Sequence, residues 1–264
     1  MTQATRSNLM SVATTLAANI NATQDYIPVA STTNFSTSVV AEVESTNEVV
    51  SFDSVTTNLA TNSEDFSTGW NPTGVTISTN AAVAPDGTTT ADKIIQNAGT
   101  SNSFYIYQGI STTAGNCTFS VYAKAAGKDH INIIMEAAAS NSMGVQFNLS
   151  TGAIAASNYA TGTITDAGNG WYRCSVVPTT TTTSGYKNFQ PNDGATPGNY
   201  FLSATTGDGS DGVLLWGAQI ESVAALTGYL PTGASSLSGL TNVTRGVNGT
   251  TAATASSGDD IQQL

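Results

Sequence analysis

The chain has 264 residues, a net charge of −11 and only 9% charged residues, where an average soluble domain carries roughly 25%. Its basic residues, Arg6, Lys93, Lys124, Lys128, Arg173, Lys187 and Arg245, are scattered, which argues against a nucleic-acid surface, and no run of about 18 apolar residues offers a membrane-inserting helix. Thr, Ser, Ala, Asn and Gly stand where Lys and Glu would be, among β-branched and aromatic residues; this excludes a charge-driven disordered chain and fits strands with hydroxyl-bearing outer positions.

Residues 1–15 are rich in Thr, Ser and Ala; Leu9, Val12 and Leu16 could stripe a short helix, and an extended arm fits equally. The N-terminal stretch lacks the continuous apolar segment of a signal peptide. From Leu16 the pattern is strand-like, through "TLAANINA", "DYIPVAST", "SVVAEVE" and "EVVSFDSV". Pro28 predicts an edge strand or a strand start for its run. After "TTNLATNSEDFSTGWNPTG" Gly and Pro punctuate the chain, and strands are predicted over 74–79, 90–97, 103–110, 116–124, 130–137, 144–149, 152–157, 171–177, 198–204 and 212–221. Short strands separated by turn signals argue for a sandwich or jelly roll. The threonine run 179–183 reads as a loop and 231–239 as a linker.

"TNVTRGVNGTTA", 241–252, then reads as a strand over 241–247 that ends in Asn248-Gly249, the strongest short turn signal. The short tail after it offers no obvious partner strand. Cys117 shares a strand face with Phe119 and Val121, and Cys174 one with Tyr172 and Val176. Both read as buried thiols, with a disulfide as the lesser alternative.

"NLATNSEDFSTGW", "CTFSVYAKA", "GNGWYRCSV" and "LLWGAQIE…GYLP" occur in that order. Together they resemble the carbohydrate-binding-module-like jelly rolls of tailed-bacteriophage virion proteins, with "NLA" in place of the usual "NLL". The flanks, "IPVASTTNF…EVESTNEVV" and "VTRGVNGTTAATASSGD", resemble two halves of one small β module of phage structural proteins. The histidine usual in its last motif is replaced here by Ala255 or Ser256, so any role of that histidine does not transfer. The resemblance implies an all-β chain: a small β anchor domain split over 1–57 and 236–264, with 1–15 as a candidate extended arm, and a β-sandwich jelly roll inserted over 58–235. The partner of 241–247 would then be 47–55. A folded insert at a hairpin tip costs little when its ends lie close together.

The chemistry is sparse. His130, the single histidine, follows Asp129 at the start of an apolar run, and no G-x-S-x-G elbow accompanies it; it reads as a strand-edge residue. Glu64, Asp65, Glu136 and Glu221 could supply a glycosidase pair, yet Glu221 belongs to the "WGAQIE" motif, so no enzyme is expected. Tyr105 and Tyr107 lie on the opposite strand face from Phe104 and Ile106, and Tyr159 and Tyr186 fall in predicted loops. These four tyrosines are the candidate glycan-binding residues, because a flat aromatic face suits a pyranose ring. Trp171 and Trp216 read as core, and Trp70 as closing the start of the module. The resemblance implies a candidate structural Ca²⁺, for which the oxygen-rich loops offer Glu64, Asp208 and Asp211; solvated turns are the simpler reading, and no other cofactor is expected. Arg245 is a candidate subunit contact, with a local hydrogen-bond donor as the alternative.

The function expected from the resemblance is that of a non-enzymatic virion structural protein, assembled in the host cytoplasm. The split module would anchor it among other virion proteins and copies of itself, and the jelly roll would project as capsid decoration, tail fibre or adaptor. The alternative expectation is a host-glycan receptor-binding protein.

Overall fold

The computed structural model describes residues 13–17, 26–30, 39–43, 46, 48–52, 54–112, 117–135, 142–179, 185–197, 201–255 and 260–263. The protein is all-β, and no α-helix occurs among the described residues. In chain order the strands are β1 Ala13–Thr15, β2 Tyr26–Val29, β3 Val39–Val43, β4 Glu48–Phe52, β5 Ser54–Asn58, β6 Asn71–Thr73, β7 Val75–Ala82, β8 Ala91–Gln96, β9 Gly99–Ser101, β10 Tyr105–Gly109 and β11 Thr118–Ala126. They continue as β12 His130–Met135, β13 Met143–Asn148, β14 Ala153–Asn158, β15 Ala160–Gly168, β16 Trp171–Pro178, β17 Tyr186–Asn192, β18 Thr205–Gly207, β19 Gly212–Glu221, β20 Leu237–Thr241 and β21 Asp260–Gln263. The chain divides into two compact units: residues 1–57, 227–230 and 237–264 form one, residues 58–226 and 231–236 the other.

The smaller unit is a closed ring. One sheet runs β1-β21-β3-β4 and a second runs β2-β20-β5. Antiparallel bridges at Leu16–Val29 and Ser51–Thr244 join them on both sides. Ser51 bridges Thr244, the Ser54 and Thr241 hydroxyls meet at 2.7 Å, and those of Thr57 and Ser238 meet at 2.8 Å. Three residues along one strand therefore match three along the other, so β4 and β5 act as one bent strand in a single register with 238–244. Six antiparallel strands close on themselves, and closure leaves no open edge. Ala13, Asn58, Leu237 and Gln263 lie at one end of the ring, while the 242–255 segment lies at the other. Leu16, Ile27, Val29, Ala41, Val43, Val50, Phe52, Leu240, Val243 and Ala255 fill the core.

The expected strand over 241–247 is thus displaced. The regular strand is Leu237–Thr241, which begins inside the stretch read as a linker, and 241–247 meets 47–55 through the Ser51–Thr244 bridge, the Ser54–Thr241 hydroxyls and the Arg245–Glu48 pair rather than as a regular strand. The "LSGLT" composition hides a strand that is buried because it has neighbours on both sides. Asn248-Gly249 does make a tight turn: Asn248 (φ 54, ψ 29) and Gly249 (φ 82) are both left-handed, and the Thr250 N–H donates to the Val247 carbonyl at 3.1 Å. Pro28 does not sit on an edge, since Tyr26–Val29 pairs with β20 on one side and Val29 bridges Leu16 on the other. The Pro28 carbonyl accepts from Ala17 at 3.0 Å. In an antiparallel strand a residue's N–H and C=O point the same way, so the missing N–H falls on that short, bridge-only side. Ala13–Thr15, expected within a candidate arm, is a strand of the ring; residues 1–12 lie outside the described residues.

The larger unit packs two six-stranded antiparallel sheets, β14-β13-β12-β17-β10-β6 and β15-β16-β11-β19-β8-β7, on one core, with a small β18-β9 pair. Phe66, Trp70, Ile106, Phe119, Ile133, Phe147, Phe189 and Leu215 are among the core residues. The ends of the unit are held together: the Leu59 N–H donates to Ile220 O at 2.8 Å and the Asn62 N–H to Gly233 O at 2.6 Å. Cys117 and Cys174 are free and buried, and burial pushes both thiols up. Trp171 and Trp216 donate their ring N–H groups to Val83 O and Thr90 Oγ1, at 3.1 and 3.0 Å.

Most predicted strands are present. The strand predicted over 198–204 is absent where that stretch is described, at 201–204, and β18 follows it. Of the larger unit's strands longer than three residues, two escape the pattern. β15, "ATGTITDAG", is an exposed edge strand of small and hydroxyl residues, and β17, "YKNFQPN", carries amides and a proline where periodicity expects apolar residues.

Candidate functional site

The candidate site lies on the outer face of the sheet containing β10. Alternation sends Ile106 into the core and leaves Tyr105 and Tyr107 half-buried on the outer face. Tyr107 stands opposite Asn188 of β17 and Asn71 of β6, Tyr105 opposite Thr73, and Gly109 opposite Tyr186. The Tyr105 and Tyr107 rings lie 6.1 Å apart, and Tyr107 meets Tyr186 edge-on at 4.7 Å. Three of the four tyrosines expected from the sequence thus form one contiguous ladder. Tyr186, expected in a loop, is the first residue of β17 and 51% exposed. Tyr159 is also exposed but sits between β14 and β15 at φ 47, with no ring contact to the ladder.

The same face continues into a buried amide network that the sequence did not announce. Asn132 pairs in register with Gln190 and Gln146, and His130 with Asn192 and Asn148. Asn132 Nδ2 donates to Gln190 Oε1 (2.9 Å), Phe201 O (3.1 Å) and Ser203 Oγ (3.1 Å). Gln146 Nε2 donates to Asn192 Oδ1 at 3.1 Å and Ala195 O at 2.9 Å. Asn192 Nδ2 donates to Asn132 Oδ1 at 2.8 Å, and Gln190 Oε1 accepts from the Ser203 N–H at 2.8 Å. Buried polar groups are costly unless satisfied, and here the backbone around 195 and 201–203 satisfies them. Phe201 is held at φ 56 against Gly144, where a Cβ would come 2.5 Å from its ring. The signal in the sequence was the run of amides alternating with Phe189 in "NFQPN", which periodicity reads as a loop.

Asn188 differs from these amides. It is 3% exposed, and its Oδ1 has no hydrogen-bond partner among the described residues. Its neighbour Lys187, opposite Gln108 and Met135, belongs to the other face of the strand and donates to Gly185 O at 3.4 Å.

The acidic candidates are dispersed. Both oxygens of Asp208 are engaged, Oδ1 by the N–H groups of Ser210 and Asp211 and Oδ2 by the Ser210 hydroxyl. These bonds, the backbone ones foremost, bring its pKa down to about 2. Glu64 lies in the loop after β5, and no three His, Cys, Asp or Glu side chains group together among the described residues. In that loop region Asp92 spends its carboxylate on the N–H groups of Phe66 and Asn80, at 2.8 and 2.9 Å. His130 Nδ1 lies 2.7 Å from Asp129. Glu221 is buried at the end of β19, and Glu136 lies outside the described residues.

Arg245, a candidate subunit contact from the sequence, is taken up inside the ring. Its Nε and Nη2 each donate to Glu48 at 2.6 Å, and Nη2 also donates to Ala253 O at 2.5 Å. Glu48 accepts two further bonds, from the N–H groups of Gly246 and Ala253, each at 3.1 Å. The Glu48 side chain is fully buried and that of Arg245 is 6% exposed. Burial pushes the Glu48 carboxyl up, but the Arg245 and backbone donors together outweigh it and hold the pKa below the usual value. The pair clamps the 245–253 segment onto β4. No protein-family model matches the chain, and no curated protein matches it.

Proposed function

We propose that the protein is a non-enzymatic structural component of a tailed-phage virion, with the closed ring as its anchor and the sandwich as the part it carries. The observation behind this reading is the pairing of 51–57 with 238–244 in one register. Strands so far apart in sequence complete a small ring, and the chain between them forms a second compact unit whose own ends are tied together. That arrangement suits a particle-bound base bearing an exchangeable domain. Immunogold labelling with antibody raised against the chain tests the reading: label on intact particles supports it, and label confined to the soluble lysate contradicts it.

A second reading is favoured by the ladder of Tyr105, Tyr107 and Tyr186: the sandwich attaches to host-surface glycan. Aromatic platforms bury large area at low entropy cost. The purified protein should then compete with particles for adsorption to host cells, and Tyr107→Ala with Tyr186→Ala should remove the competition while leaving the thermal transition in place.

A further inference from the structure

We infer that Asn188 is the polar contact of the tyrosine platform, and that the platform takes a neutral, hydroxyl-bearing sugar ring rather than an anionic one. The inference rests on the reading of the ladder as a glycan-binding surface and adds to it the class of glycan and the residue that orients it.

Three observations carry it. The amides along this face divide cleanly. Asn132, Gln146, Gln190 and Asn192 are tied into one network, whereas Asn188, directly opposite Tyr107, has a buried Oδ1 without a partner among the described residues. A buried acceptor left unpaired costs stability, on the order of 1–3 kcal/mol, so a protein that keeps one beside an aromatic platform is set to receive a donor there. Binding sites are built in this way, from apolar surface with a few placed polar groups that fix orientation.

The second observation is charge. The register neighbours on the platform are Asn71, Thr73, Gly109 and Asn188, all uncharged. Among the described residues of β6, β10 and β17, the basic residue is Lys187, and it belongs to the opposite face. The chain as a whole carries −11. A uronate, sialate or phosphate-bearing glycan would meet no paired cation and an unfavourable field, while a sugar hydroxyl supplies the single donor that Oδ1 lacks. The third observation is shape. Ring centroids 6.1 and 4.7 Å apart make a continuous aromatic strip, and Tyr186 at its end is half exposed, so the strip is open to a ligand there.

The test uses the full chain, affinity electrophoresis through gels holding dextran, mannan, galactomannan, polygalacturonate or alginate, and thermal unfolding of each variant. The expected result is retardation by at least one neutral polymer and by neither polyuronate. Asn188→Leu should weaken that retardation about ten-fold, the value of one hydrogen bond, while a single cooperative thermal transition is kept. Asn188→Ala, which removes the acceptor without adding bulk or charge, should weaken retardation equally and covers the case in which the leucine variant does not fold. Retardation by the polyuronates alone, or by no neutral polymer, overturns the inference. So does unchanged binding in Asn188→Leu; if Tyr107→Ala still abolishes binding there, the platform reading survives and only the role of Asn188 falls. Unchanged binding in both Tyr107→Ala and Tyr186→Ala removes the platform reading itself.

Discussion

Glu48 and Arg245 show how a single pair organises a segment. The carboxylate takes two guanidinium bonds and two backbone N–H bonds in a fully buried setting. Removing one partner strands the other, which typically costs about 3–5 kcal/mol. Arg245→Ala should therefore lower the midpoint of the ring's denaturant unfolding curve, and Glu48→Gln should lower it less, because the amide oxygen still accepts from the Arg245 guanidinium even though that cation loses its counter-charge. The pH dependence has a definite sign. The folded pKa of Glu48 lies below the unfolded value near 4.5, so its contribution is full above that value and is lost as pH falls through the folded pKa. Unfolding followed from pH 7 downwards should show an acid-sensitive loss in the parent that is smaller in Glu48→Gln. An equal loss in both would mean that other carboxylates carry the acid response. The sequence presented Arg245 as an isolated cation and gave no sign of Glu48, since a buried ion pair becomes visible only once the fold joins positions far apart.

At the scale of elements, strands with period-two apolar patterning were legible: β10, β11, β12, β16 and β19 all fall within or close to their expected spans. Each sends alternate apolar residues into the core, such as Phe119 and Val121 of β11 or Val213 and Leu215 of β19, which is what periodicity detects. β17 was missed because one face packs Phe189 into the core while the other packs amides beneath the segment around 195 and 201–203. Its polar residues are buried, and composition alone reads such a run as surface. β15 was missed for the opposite reason: an exposed edge strand has no apolar face to show. The covering segment rests on the Phe201 ring against Gly144. Gly144→Ala should force that ring away, open the amide network and destabilise the sandwich by about 1–3 kcal/mol, read as a lower melting temperature. A transition unchanged from the parent would show that the segment shifts at no cost.

At the scale of the whole molecule, the split of the chain was expected from the two motif sets, and it is the feature on which the anchor reading depends. What the sequence could not show was the ring closure, because bridges at Leu16–Val29 and Ser51–Thr244 are single contacts with no pattern of their own. The register places Asn58 opposite Leu237, so replacing 59–236 by a two-residue Asn-Gly turn restores an ordinary hairpin. That ring-only chain also loses Thr227–Leu230, which belongs to the same unit; it should still unfold in one cooperative transition, at a lower temperature than the ring in the full chain. Loss of any cooperative transition would count against a self-standing ring.

The anchor claim is tested most directly by incorporation. Particles grown in the presence of the ring-only chain, or of a chain comprising 58–236 alone, are purified on a density gradient and analysed by mass spectrometry. The account predicts ring-only peptides in the particle fraction and sandwich-only peptides left in the soluble fraction. Sandwich-only chains in the particles, with ring-only chains left behind, would contradict it.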